Sequence, residues 1–190
     1  MDAVTLQLAL YVLMGCAALG FSAWRKRREK ANLALYQSLR EIFYTAAPED
    51  MLGSAPRQPG AVIGVAMDWP IEDTQATVIA CADGTGSIYM KRQGSAIAGG
   101  YGAAELARAF VAEAARWIAK AEKVDAHPEP DSASVYFYIR TANSLYRVSD
   151  SVSALLAGKG ATEPLFVAGN NLMTALFKLA DTAEKVPERA

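Results

Sequence analysis

The amino-acid sequence predicts an α+β domain with a largely antiparallel sheet of about five strands and helices packed on one face, preceded by one transmembrane helix. Three observations lead to this prediction. The chain starts with a long uncharged run, its middle holds short β-rich segments, and later stretches repeat apolar residues at helical spacing. Because the segments in the middle are joined by short turns, the strands should pair antiparallel.

The uncharged run covers the 21 residues 4–24. As a helix it would span ~31 Å, which matches the hydrocarbon thickness of a bilayer. A basic cluster follows directly, made of Arg25, Lys26, Arg27, Arg28 and Lys30. No Lys or Arg precedes the run, so the positive-inside rule places the N-terminus outside and the domain in the cytoplasm. We therefore expect a single-pass protein of the inner membrane whose basic cluster also contacts anionic lipid.

Two cleaved alternatives compete with this anchor. A secretory signal peptide carries its positive charge before the apolar core, whereas here the charge follows it. Leu13-Met14-Gly15-Cys16 resembles a lipoprotein signal with Cys16 as the acylated residue, but the apolar run continues beyond it. The anchor fits better, and Cys16 is then an inert thiol. Cys81 lies in a predicted strand, so no disulfide is expected between the two cysteines.

Residues 25–47 predict a basic juxtamembrane segment that continues into an amphipathic helix. Its apolar stripe is Leu35, Tyr36, Leu39, Ile42 and Phe43, and all of these except Tyr36 are candidate interaction residues. Gln37, Arg40 and Glu41 are assigned to the opposite side. The heptad spacing of Leu35, Leu39, Ile42 and Ala46 also suits pairing with a second copy over about two heptads. Packing of the stripe on its own domain is the simpler interpretation.

The next segments predict a linker and then the domain. Residues 48–60 hold three prolines and two glycines, which are typical of a linker, and 61–183 form the domain before a tail at 184–190. Strands are expected at 61–69, 74–82 and 85–92, with Asp83-Gly84 forming a type I′ hairpin turn. A second hairpin should pair 134–141 with 145–149. Helices are expected from about 103 to 121, with Phe110 and Trp117 on the sheet, and at 152–157 and 170–183.

A glycine-rich stretch at 94–102 joins a predicted strand to a predicted helix, which is where phosphate loops lie. It lacks the Lys and the Ser/Thr of a P-loop and the spacing of a dinucleotide fold. Gly99, Gly100 and Gly102 are therefore only candidates for binding an anion. A tight connection that needs positive φ explains the glycines equally well.

No group of residues predicts catalysis, a cofactor or a bound metal. His127 is the only histidine and lies in a proline-rich connection, and no CxxC or HExxH spacing occurs. Asp68, Glu72 and Asp73 are assigned to a turn. The net charge of −1 gives no indication of nucleic-acid binding.

Residues 82–89 read ADGTGSIY and precede the glycine-rich stretch and an alanine-rich helix. In this order they resemble a group of uncharacterised bacterial proteins that share an ADGT-x-S hairpin. Residues 164–169, PLFVAG, resemble a matching tail segment, so the resemblance covers roughly residues 60–180. It implies continuity of fold and no particular activity. The order of hairpin and helix also resembles a Roadblock or profilin-like module.

These observations predict a membrane-tethered cytoplasmic module for protein interaction or scaffolding, without catalysis. Its expected partners are membrane lipid and another protein, or a second copy of itself in a homo-oligomer. The alternative is a domain that binds a small anion or nucleotide, or hydrolyses a substrate, with the 94–102 stretch.

Overall fold

The computed structural model describes residues 27–53, 58, 60–92 and 95–184. An antiparallel sheet with helices confirms the predicted α+β class. The helices are residues 27–45 (α1), Pro48–Leu52 (α2), Ala104–Ala115 (α3), Val152–Leu156 (α4) and Glu163–Glu184 (α5). The strands are Val62–Ile71 (β1), Thr74–Cys81 (β2), Gly86–Met90 (β3), Ser95–Gly100 (β4), Glu122–Val124 (β5), Ser134–Thr141 (β6) and Leu145–Ser151 (β7).

The described sheet has seven strands in the order β4-β3-β2-β1-β6-β7-β5, rather than about five. The two strands that the sequence did not predict are β4 and β5. The first reads SAIAGG, and its small residues have low strand propensity. The second has three residues, which is too short for a period to be recognised.

Helices cover both faces of the sheet, so the prediction of helices on one face is wrong. On one face, Val65 and Met67 of β1 join a core cluster with residues of α3 and α5. On the other face, Ile63 and Ala66 join a second cluster with Phe43 of α1. This arrangement follows from β1 itself, whose first seven residues are all buried, as expected for a strand covered on both sides.

The α3–α5 face contains the larger core. Phe110 is fully buried there, and Trp117 is half-buried against the same cluster. The predicted long helix ends earlier, at Ala115, and a 3-10 turn at Ile118–Lys120 follows. A Cβ on Gly169 would lie 2.9 Å from the sulfur of Met67, so the glycine allows α5 to approach the sheet.

Two connections differ from their predictions. The hairpin between β2 and β3 is present, but only Gly84 of its turn has positive φ, so the turn is not type I′. The predicted linker contains α2, whose Met51 and Leu52 are buried in the second cluster. The start of this linker is therefore part of the domain.

No helix within the described ranges is long and apolar enough to cross a membrane. The predicted transmembrane segment, residues 4–24, lies outside those ranges.

Candidate interaction surface

Two sides of α1 have different roles. Tyr36, Arg40 and Phe43 face the sheet and are buried. Leu35 and Ile42 lie roughly a quarter turn away at 100° per residue, and their exposed fractions are 45% and 55%. The sequence placed Phe43 in the same stripe as these leucine and isoleucine residues and Arg40 opposite, and the structure corrects both assignments.

A buried ion pair fixes α1 to the sheet. The guanidinium of Arg40 donates to the carboxylate of Asp68 from Nη2 at 2.5 Å and from Nε at 3.1 Å. Asp68 lies on β1 and is fully buried. The Thr77 hydroxyl donates its proton to Asp68 at 2.5 Å, so it accepts from the Tyr36 hydroxyl at 2.8 Å. These bonds satisfy charges that would otherwise be costly to bury.

Burial is the main influence on the ionisation of this network. It raises the pKa of the Asp68 carboxyl, and the Arg40 charge and the hydrogen bonds from Arg40 and Thr77 oppose that effect. Burial likewise raises the pKa of Tyr36, so this hydroxyl keeps the proton that it donates to Thr77. In this network the buried guanidinium of Arg40 is thus paired with the buried carboxyl group of Asp68.

Further bonds hold the second half of α1. Arg40 also donates to the carbonyl oxygen of His127 at 2.8 Å, and the His127 ring stacks on Tyr44 with centroids 3.7 Å apart. Arg140 donates to the carbonyl oxygens of Phe43, at 2.6 Å, and Ala46. These carbonyls lie at the C-terminal end of α1, where unsatisfied acceptors and the helix dipole favour a cation. The helix is therefore held at several points along its length.

An apolar groove lies beside α1, with a volume of about 310 Å³. One wall is α1, the floor is formed by β2 and β3, and α2 closes one end. Most of the lining is apolar, and the one charged residue is the exposed Asp50 at the α2 end; the lining residues are Leu39, Ile42, Phe43, Ala46, Asp50, Met51, Ile79, Cys81, Thr85, Gly86, Ser87 and Tyr89. Burial raises the pKa of the Cys81 thiol to about 11, so the floor is uncharged at neutral pH. The groove suits an apolar occupant.

The basic cluster leads into α1. Arg27, Arg28 and Lys30 are exposed on its first described turn. Arg25, Lys26 and Cys16 lie outside the described residues, so their predicted roles stay predictions.

The glycine-rich stretch is mainly a strand, not a loop. Gly99 and Gly100 belong to β4, Gly102 lies in the 3-10 turn Tyr101–Ala103, and Gly94 is outside the described residues. A Cβ on Gly102 would lie 3.0 Å from Leu179 Cδ1, which explains the glycine by packing. The depression beside it is lined at 102–106, where the one charged residue is the acid Glu105. An acidic side chain repels an anion.

The polar depressions elsewhere do not assemble a reactive group. One of them lies at the start of α1 with a volume of about 640 Å³, and its bases are already paired, Lys91 with Glu129 and Arg92 with Asp73. Within the part of the chain that the structure describes, no three acidic, His or Cys side chains are grouped so that they could hold a metal ion.

No protein-family model, curated protein or solved structure matches this chain. The function is therefore inferred from the surface of the molecule itself.

Proposed function

We propose that this chain is a membrane-tethered, non-catalytic interaction module whose binding surface is the groove beside α1. The observation that carries this proposal is the open, mainly apolar groove that the exposed Ile42 lines, with the exposed Leu35 two turns earlier on the same side of α1. Isolated exposed apolar residues are ordinary, but a continuous apolar concavity is typical of an interaction site.

The buried attachment of α1 supports the same function. Arg40 and Asp68 fix one side of the helix, so the side with Leu35 and Ile42 is presented in one orientation. A rigid surface loses less conformational entropy when it binds than a mobile one does. Holding α1 firmly therefore favours binding at its lateral side.

The tether rests on the sequence. An uncharged run of bilayer length precedes a basic cluster, and the described part of α1 includes the last residues of that cluster. A partner bound beside α1 would thus lie close to the membrane.

The alternative function, binding an anion or nucleotide at 94–102, has less support. It would need convergent hydrogen-bond donors around Gly99, Gly100 and Gly102. The depression there presents Glu105 instead, and most of the stretch is paired with β3 as a strand.

Site-specific photo-crosslinking in intact membranes tests the proposal. A photoreactive phenylalanine analogue replaces Ile42 in the full chain, and a matched variant carries it at Gln37, which is exposed on the other side of α1. We expect a discrete adduct from position 42, none from position 37, and loss of the adduct when Leu39→Glu places a charge in the groove. Absence of an adduct at 42, or equal adducts at both positions, would contradict the proposal.

A further inference from the structure

We propose that the occupant of the groove is a second copy of this chain, with the two α1 helices parallel and side by side. This inference rests on the proposed function, because it names the partner for the same groove. Four features of α1 and of its surroundings carry it.

The first feature is the spacing of the lateral stripe, which we define as Leu35, Leu39, Ile42 and Ala46. Steps of four, three and four residues are those of the core of a coiled coil. The stripe is exposed or half-buried along its whole length. A second helix with the same spacing would provide the other half of the coiled-coil core and cover the stripe.

The second feature is the absence of charge beside the stripe between residues 35 and 46; the nearest charges are Arg28, one heptad before Leu35, and Asp50 at the α2 end of the groove. On one side lie Tyr36 and Phe43, which are buried against the sheet. On the other side lie Ser38 and Thr45, which are exposed and uncharged. Between residues 35 and 46, two identical helices therefore meet without the like-charge repulsion that prevents many helices from pairing with themselves. Such repulsion is confined to the two Arg28 side chains, one heptad before Leu35.

The third feature is the direction of the stripe. It lies roughly a quarter turn from the buried side of α1, so it points along the sheet and over the groove floor. We place a twofold axis between the two α1 helices and parallel to them. Each copy's α1 then lies over the other copy's β2 and β3, and the two sheets lie on opposite sides of the helix pair. The next strand, β4, extends the sheet beyond β3. Strands are about 4.8 Å apart and a helix is about 10 Å wide, so two strands provide the width for one helix.

An antiparallel pair through the same stripe does not fit. Its twofold axis would run perpendicular to the sheets and bring both of them to the same side of the helices. Each sheet extends beneath the stripe as far as β3 and β4, so the two sheets would overlap.

The outer side of α1 fits the parallel arrangement. Opposite the buried side, the helix exposes the small residues Ala31, Ala34, Ser38 and Thr45, with Glu41 at the edge of this side and Arg27 before it. This side would rest on the other copy's floor, which includes Ile79 and Tyr89. Small side chains let a helix approach a sheet closely.

The fourth feature is the chain that precedes α1. Parallel helices start at the same end of the dimer, so both uncharged runs at 4–24 enter the same membrane. Shared attachment raises the effective concentration of each copy near the other. A stripe of about two heptads is marginal for an isolated pair, and the contact with the floor and the tether offset that weakness.

Cysteine crosslinking in membranes tests the pairing directly. Leu35→Cys and Ile42→Cys are introduced singly into the full chain in a Cys16→Ser, Cys81→Ser background, with Gln37→Cys as the matched control. Oxidation should give disulfide-linked dimers from positions 35 and 42 and none from position 37. Adding Ile42→Glu to the Leu35→Cys variant should abolish the dimer, and both changes are at exposed sites, so folding is preserved.

A second crosslink tests the opposed sheets rather than the helix pair alone. Thr45→Cys, in a chain that keeps the native Cys81 and carries Cys16→Ser, should form a link between position 45 of one copy and Cys81 of the other when a short thiol-reactive crosslinker is added. Phe43 approaches Gly64, and Gly64 pairs with Cys81, so these positions lie at a similar height along α1.

The outcomes separate the two proposals. Dimers from positions 35 and 42 together with the 45–81 link support the proposal that a second copy of the chain occupies the groove. A photo-adduct at Ile42 with a different protein, without these dimers, overturns the second copy and leaves the interaction module standing. Dimers only in mixtures of the Leu35→Cys and Ile42→Cys chains would indicate antiparallel helices and also overturn the inference. No photo-adduct and no dimer overturns both.

Discussion

Arg40 and Asp68 are the residues that fix α1 to the sheet. The sequence placed Asp68 in a turn and Arg40 on the outer side of the helix, yet both are buried and bonded to each other. One signal was present, because Asp68 follows a run of uncharged residues at 61–67 in a predicted strand. A charge in a buried strand requires a partner. The identity of that partner, 28 positions earlier, depends on how α1 packs.

The pair predicts a clear pattern of stability. Arg40→Met or Asp68→Leu alone should lower the free energy of unfolding by about 3–5 kcal/mol, because each leaves a buried charge without its partner. The double variant should recover much of that loss, because no buried charge remains. Urea unfolding of the chain starting at residue 27, which retains both core clusters, measures all three. Losses under about 1 kcal/mol for both single variants would show that the pair does not hold α1.

At the scale of the elements, the spacing of apolar residues predicted where the helices are better than it predicted which side of each helix is buried. The period of α1 was correct, but its stripe mixed the buried Phe43 with the exposed Leu35 and Ile42. Apolar residues at helical spacing predict that one side is covered, and they cannot tell a side covered by the sheet from one that is open. The strand β4 was missed for a different reason, since glycine and alanine form a strand there only because β3 pairs with them.

The junction between β7 and α5 predicts a dependence on pH. Partial burial alone would raise the pKa of Asp150, but hydrogen bonds from Thr162 and Ser151 together outweigh it and lower the pKa. A lowered pKa in the folded state means that the carboxylate stabilises the fold above its unfolded pKa of about 3.9, and that this stabilisation is lost as the pH falls through the folded pKa.

Asp150→Asn should therefore lower the stability of the chain at pH 7. The loss should be smaller at a pH below the folded-state pKa of Asp150, where the carboxyl group is protonated. Thermal melts of the chain starting at residue 27 at several pH values, compared with Asp125→Asn as an exposed carboxylate control, measure the effect. An equal loss at every pH would contradict the role of the Asp150 charge.

At the scale of the whole molecule, the sequence was sufficient to predict the α+β class but not the number of helical layers that cover the sheet. Short turns between strands require antiparallel pairing, and that part is confirmed. The second helical layer was not predicted, because a strand such as β1 that is buried on both faces shows no alternation to reveal how many layers cover it. The groove was hidden for the same reason, since it exists only where α1 leaves β3 uncovered.

We propose that residues 4–24 hold this domain at a membrane, with the domain on the cytoplasmic side. Protease treatment of intact bacterial spheroplasts that carry the full chain with a C-terminal tag tests it most directly, with a chain lacking residues 1–24 as the control. The account predicts that the tag is protected until the membrane is permeabilised, and that only the full chain stays in the membrane pellet after alkaline carbonate extraction. A tag digested from outside, or a full chain released by carbonate, would contradict it.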